Sequence, residues 1–93
     1  LAYNDRGMLY YRASKFKAAE DDLNKALELD SSDSEYWSNR GLIRMMQGGE
    51  VQAMQDLDKA ISISTRNVLA LATRGAIFMK RGQFDKAKSD FDV

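Results

Sequence analysis

The chain has 93 residues, 14 Lys plus Arg against 14 Asp plus Glu, 44% hydrophobic residues, and no proline, cysteine or histidine. Without imidazoles or thiolates it lacks the commonest acid–base, nucleophilic, zinc-binding and disulfide chemistry, which leaves carboxylates, lysines and hydroxyls. The charge balance supplies no cationic surplus for nucleic-acid phosphates, so no nucleic-acid partner is expected.

Helices are the expected elements. Ala, Leu, Met, Glu, Lys, Gln and Arg are abundant, whereas β-branched residues are restricted to four Ile, three Val and two Thr. The longest apolar run, Val68 to Ala72, is far below the roughly 20 residues needed to span a bilayer, so no membrane partner is expected. No signal-peptide pattern opens the chain, and a cytoplasmic location is favoured.

At an offset of 34 residues the chain repeats itself: of 59 paired positions 15 are identical, against about 4 expected from composition. Arg6, Arg40 and Arg74 recur, as do Gly7, Gly41 and Gly75; Ala19, Ala53 and Ala87; and Asp22, Asp56 and Asp90. The expected units are residues 1–33, 34–67 and an incomplete 68–93 of one domain.

Within each unit, apolar spacings of three and four predict two helices. In chain order they run over Ala2 to Ala13, Phe16 to Leu29, Ser34 to Gln47, Glu50 to Ile63, Val68 to Arg81, and from Phe84 onward. Gly48, Gly49 and Gly82 mark turns inside the hairpins. Asp33 or Ser34 is the expected N-cap of the third helix and Asn67 that of the fifth. Gly7 facing Ala19, Gly41 facing Ala53 and Gly75 facing Ala87 would bring helix axes close. Leu9, Phe16, Leu23, Leu27 and Leu29 would then fill the seams to neighbouring helices.

The period, with Trp37, Gly41, Ala53 and Leu57 in the middle unit, resembles the tetratricopeptide repeat, a 34-residue helix-turn-helix with a W-x2-L-G-x2-Y, A-x3-F, P pattern. Tyr3, Gly7, Tyr10, Ala19 and Leu23 fit it in the first unit, and Gly75, Phe78, Ala87 and Phe91 in the third. Arg6, Arg40 and Arg74 stand where the pattern has leucine, Arg44 replaces an aromatic, and Ser31 and Thr65 replace proline. The sixteen-residue spacing of each recurrent arginine from an aspartate suggests salt bridges of Arg6 with Asp22, Arg40 with Asp56 and Arg74 with Asp90.

The resemblance implies an all-α fold, a right-handed superhelical array of antiparallel helical hairpins, with a concave groove that binds a peptide or helix of a partner protein. On it the groove would be lined by Asn4, Asp5, Met8, Tyr11 and Arg12; Ser38, Asn39, Leu42, Met45 and Met46; and Ala72, Thr73, Ala76, Met79 and Lys80. Asn4, Ser38, Asn39 and Thr73 would form a row of hydrogen-bonding groups beside an adaptable strip of Met8, Leu42, Met45 and Met79, suited to an uncharged or apolar ligand. Each methionine has an ordinary core role as its competing reading.

Some members of the family grip the C-terminal carboxylate of heat-shock proteins with lysines, an arginine and asparagines. On those slots Asn39 alone matches, while Asn4, Met8, Leu69 and Thr73 do not supply the remaining groups. The related RNA-reading helical-hairpin array has a longer period and a basic groove, neither seen here. No cofactor, metal site or enzyme activity is expected: Glu20, Asp21 and Asp22 diverge around a helix, and the Asp30 to Ser34 segment lacks the glycine and distal glutamate of a calcium loop. An alternative is an array that self-associates through Phe84, Ala87 and Phe91, an apolar face without a covering helix. The opening Leu1 and the short last unit suggest a piece of a longer protein.

Overall fold

The structure is a computed structural model, and it describes residues 2–92. Among them are six α-helices and no strands: α1 Tyr3–Arg12, α2 Phe16–Leu29, α3 Ser34–Met46, α4 Glu50–Ile63, α5 Val68–Lys80 and α6 Phe84–Phe91. The starts of α2 through α6 agree with the spacing argument. Differences of one residue at the ends of α1, α3 and α5 reflect fraying of the last turn, where Ala13, Gln47 and Arg81 act as C-caps.

Local chemistry sets the breaks. Asp33 caps α3 by accepting from the Glu35 amide, and Asn67 caps α5 by accepting from the Ala70 amide. Ser34, the other expected cap of α3, instead donates its hydroxyl to the carbonyl of Ala60 at 2.8 Å. Positive φ angles close all three hairpins: 59° at Ser14, 83° at Gly48 and 74° at Gly82.

Consecutive helices pair as hairpins, and each second helix packs on the first helix of the next hairpin. The buried stripe of α2 runs through Ala19, Leu23, Ala26 and Leu27, and that of α4 through Ala53, Leu57 and Ala60. The core is accordingly two linked clusters. Ala19 and Leu23 join Ile43 in one, and Ala53, Leu57 and Ala60 join Ala70 and Ile77 in the other.

The recurrent glycines do bring the hairpin helices close: Gly7 and Gly41 lie against the backbones of Ala19 and Ala53 as expected, with a larger side chain crowding each of the three glycines as well. A Cβ on Gly41 would lie 3.0 Å from Cγ and Cδ2 of Leu57 and 3.3 Å from the carbonyl oxygen of Ala53. Gly7 is pressed by the side chain of Leu23, and a Cβ on Gly75 would meet the ring of Phe91 at 2.5 Å. The crowding group is therefore the large side chain four residues beyond the alanine.

Two seam assignments are corrected. Leu29 is exposed, because it lies about 200° around the helix from Leu27 and off the buried stripe. Leu9 is 53% exposed although Ile43 and Ile77, in the same slot of the next units, are 0% and 2% exposed. That slot is buried by the preceding hairpin, and α1 has none before it among the described residues.

Candidate functional site

α1 contacts α3 and α3 contacts α5, whereas no contact joins α2 to α4 or α4 to α6 among the described residues. The first helices of the hairpins thus lie on the tighter, inner side of the curve, and they form its concave face.

Arg12, Ala76, Met79 and Lys80 are exposed on the first helices, as are Asp5, Met46 and Ala72; Ala72 lines a cavity beside Val68 and Phe91. Met8, Tyr11, Leu42 and Met45 are half-buried. Met8 and Tyr11 pack against the cluster of Ala19, Leu23 and Ile43, and Met45 against that of Leu57 and Ile77, so these three act largely as packing groups between helices.

All four members of the polar row are buried, although Asn4 and Asn39 still line a depression between α1 and α3. Asn39 donates from Nδ2 to Oδ1 of Asn4 at 2.9 Å, and both amides are buried, so they link α1 to α3. Ser38 is fully buried; it donates to the carbonyl of Glu35 at 3.0 Å and accepts from the Asn67 amide at 3.2 Å. Thr73 is buried as well. A hydroxyl or short amide on the first helices reaches the adjoining hairpin before it reaches solvent, because the axes are close.

Two depressions mark the inner face. One, about 500 Å³, lies between α1 and α3 and is lined by Asn4, Asp5, Met8, Leu9, Arg12, Glu35 and Asn39. The other, about 320 Å³, is lined by Met45, Gly48, Glu50, Ala76, Ile77 and Lys80. Burial pushes the Tyr36 phenol pKa up, and the nearby carboxylates of Asp33, Asp30, Asp5 and Glu35 add to the shift, so the start of α3 carries a negative potential.

All three proposed salt bridges are present as two-pronged pairs. Arg6 holds Asp22 at 2.8 and 2.8 Å, Arg40 holds Asp56 at 2.9 and 2.8 Å, and Arg74 holds Asp90 at 2.9 and 2.7 Å. Each guanidinium also lies over an aromatic ring: Tyr3 and Tyr10 for Arg6, Trp37 for Arg40, Phe78 for Arg74. The aspartates hold the Arg6 and Arg74 guanidinium pKa values above the ordinary arginine value.

A second set of arginine contacts was not foreseen, most of it crossing the seams. Arg40 reaches back to Asn24 and Arg74 to Asp58, each at 3.0 Å, while Arg44 bonds both Glu20 and Asp56. Burial alone would raise the Glu20 carboxyl pKa, but hydrogen bonds from Arg44 and Gln47 outweigh it and hold the group below the usual range. The signal was available: Asn24 and Asp58 precede Arg40 and Arg74 by the same sixteen residues that separate each arginine from its following aspartate. Glu20, Asp21 and Asp22 turn to Arg44, Lys17 and Arg6 respectively and do not converge.

The expected end face is altered in one member. Phe84 and Phe91 are exposed, but Ala87 is fully buried, as are Ala19 and Ala53 in the same slot, because it faces α5 within its own hairpin. Val68 joins the exposed apolar groups there.

The family model described as tetratricopeptide repeat matches residues 1–33, and whole-chain structural likeness extends that repeat across all three hairpins. The chain folds as a tetratricopeptide-repeat array. The Arabidopsis OM64 tetratricopeptide-repeat domain superposes with a TM-score of 0.90 at 26% identity, over 97% of this chain and 74% of that one. The second such domain of Spaghetti (RPAP3), solved bound to the HSP90 peptide SRMEEVD, gives 0.88 at 23% identity over 97% and 83%. MamA gives 0.87 at 24% identity over 97% of this array, which spans 53% of the MamA chain. No curated protein sequence matches the array.

Proposed function

We propose that this array is a protein-interaction module of one three-unit domain that holds a peptide or helix of a partner protein against the inner face of α1, α3 and α5. The observation that carries the reading is exposed apolar surface on the first helices: Met46 on α3 and Met79 on α5 are each 48% exposed, and Ala76 lines the second depression beside Met45. A similar fold in RPAP3 holds a peptide, which supports the class of partner.

The ligand differs in charge from that peptide. Asn4 and Asn39 are engaged with each other, Met8 and Thr73 bring no cation, and Asp5 and Glu35 outnumber the single cation, Arg12, around the first depression. Gripping an acidic C-terminus would need charge-assisted donors at these slots. An uncharged or apolar segment fits, and flexible methionines accommodate its side chains.

The test is a displayed peptide library selected on the 93-residue chain, with selected peptides measured by fluorescence anisotropy against Ala76→Glu/Met79→Glu. Both positions are exposed, so the fold should survive, as a thermal melt would verify. Binding should weaken about tenfold or more, and SRMEEVD should bind neither protein. Unchanged affinity in the double variant would remove the groove from consideration.

A second reading has the exposed Phe84 and Phe91 as its support: the array associates with another chain through its last hairpin.

A further inference from the structure

The two internal seams of the array differ in one set of slots. Between the first and second hairpins, the Tyr11 and Phe16 rings lie 5.9 Å apart and both pack against the cluster of Ala19, Leu23 and Ile43. Leu42 stands half-buried on the same side of the seam. In the next seam the slots of Tyr11, Phe16 and Leu42, 34 residues on, hold Met45, Glu50 and Ala76, and the slot of Ile43 holds Ile77.

Two rings and an isobutyl group are thus exchanged for a thioether, a carboxylate and a methyl, and the second depression, about 320 Å³, lies where that volume is lost. Ile77, 2% exposed, is its floor. Glu50 does not replace the Phe16 ring, because Arg81 and, at 3.5 Å, Lys80 hold its carboxylate. The depression is internal to the stack, between α3 and α5 at the start of α4. Met46, in the slot of Lys80, is 48% exposed with a hairpin on either side, so that slot opens to solvent even inside the array.

The rim carries a cation free to face a ring. Other lysines of the array already do so: Lys59 lies 6.0 Å from the Trp37 ring centroid and Lys86 5.7 Å from that of Phe78. Lys80 meets no ring among the described residues, its side chain is 78% exposed, and it shares Glu50 with Arg81. Two cations against one carboxylate leave the rim positive, and the negative face of an aromatic ring complements it without bringing a formal charge.

We propose that the second depression seats an aromatic side chain of the partner peptide, with its ring beside Ile77 as Phe16 lies beside Ile43, and its face toward Lys80 Nζ. The proposal rests on the groove reading above and names the group that anchors the ligand. An aliphatic side chain would bury less area and leave Lys80 without a ring.

Methyl-resolved NMR titration of the 93-residue chain with N-acetyl-phenylalaninamide and N-acetyl-leucinamide tests it without any peptide. The aromatic probe should shift the methyl signals of Met45, Ala76 and Ile77 saturably and bind about threefold or more tighter than the leucine probe. Ala76→Leu, which gives this slot the side chain of Leu42, should keep the thermal melt and weaken the aromatic probe about tenfold or more. Lys80→Gln, at an exposed position, should keep the site and cut the preference for the aromatic probe about two- to fivefold. No saturable shift, equal binding of the two probes, or aromatic binding unchanged by both variants would each overturn the proposal. The groove reading fails separately: a chain that takes the aromatic probe yet selects no library peptide loses the groove and keeps the aromatic seat, and one that selects peptides but ignores the probe loses the seat alone.

Discussion

Ser14 occupies a backbone conformation that glycine holds in the other two hairpins. Its φ of 59° corresponds to 83° at Gly48 and 74° at Gly82, and the three are spaced by 34 residues. A side chain in the left-handed region crowds its own carbonyl at a cost of about 1–2 kcal/mol, which glycine avoids while losing some chain entropy on folding. Ser14→Gly should therefore stabilise the array by about 0.5–1 kcal/mol, read as a higher urea midpoint with unchanged slope. No gain would mean that the Ser14 side chain supports its turn. At this scale the sequence was legible wherever a residue recurs. Gly7, Gly41 and Gly75 pointed to close helix contact, but the group they approach, Leu23, Leu57 or Phe91, depends on which rotamer the packed neighbour adopts.

Helix pairing adds a constraint that neither helix shows alone. Asp56 is almost fully buried and accepts from Arg40 and from Arg44, which links α3 to α4 and, through Glu20, to α2. Removing one cation leaves a buried carboxylate short of a partner, whereas replacing both charges by apolar groups removes the desolvation cost as well. Arg40→Leu should cost about 2–4 kcal/mol, below the upper range for buried pairs because Arg44 still reaches Asp56. Arg40→Leu with Asp56→Leu should cost less than Arg40→Leu alone, and a urea double-mutant cycle measures the difference. Additive losses would show that the pair is not coupled. The within-hairpin bridges could be anticipated from a sixteen-residue spacing. The cross-seam bridges use the same spacing in the opposite direction, and choosing between the directions requires knowing which helices are adjacent.

Across the whole molecule, stability follows position along the array. In a stack each hairpin touches its immediate neighbours, so local opening begins where one neighbour is missing. Ile43 and Leu57 are fully buried, between hairpins on both sides, whereas Leu9 and Phe91 in the corresponding outer slots are about half exposed. Hydrogen exchange should be slowest in α3 and α4 and fastest in α6, the shortest of the six helices at 8 residues. Uniform protection would indicate a single cooperative unit.

Period, helix positions, caps and the Arg–Asp bridges are local or strictly repetitive properties that could be read from the chain alone: apolar spacing sets helix phase, and a residue recurring every 34 positions recurs at one place within its own hairpin. Which of those residues face solvent was decided by the tertiary structure. Asn4, Ser38, Asn39 and Thr73 sit on the first helices as the period requires, yet the close approach of adjoining helices buries them, while Met46, Ala76, Met79 and Lys80 stay exposed. Burial is a property of neighbours. A repeating sequence specifies identical slots, and only the stacking of hairpins determines that Ile43 is covered and Leu9 is open.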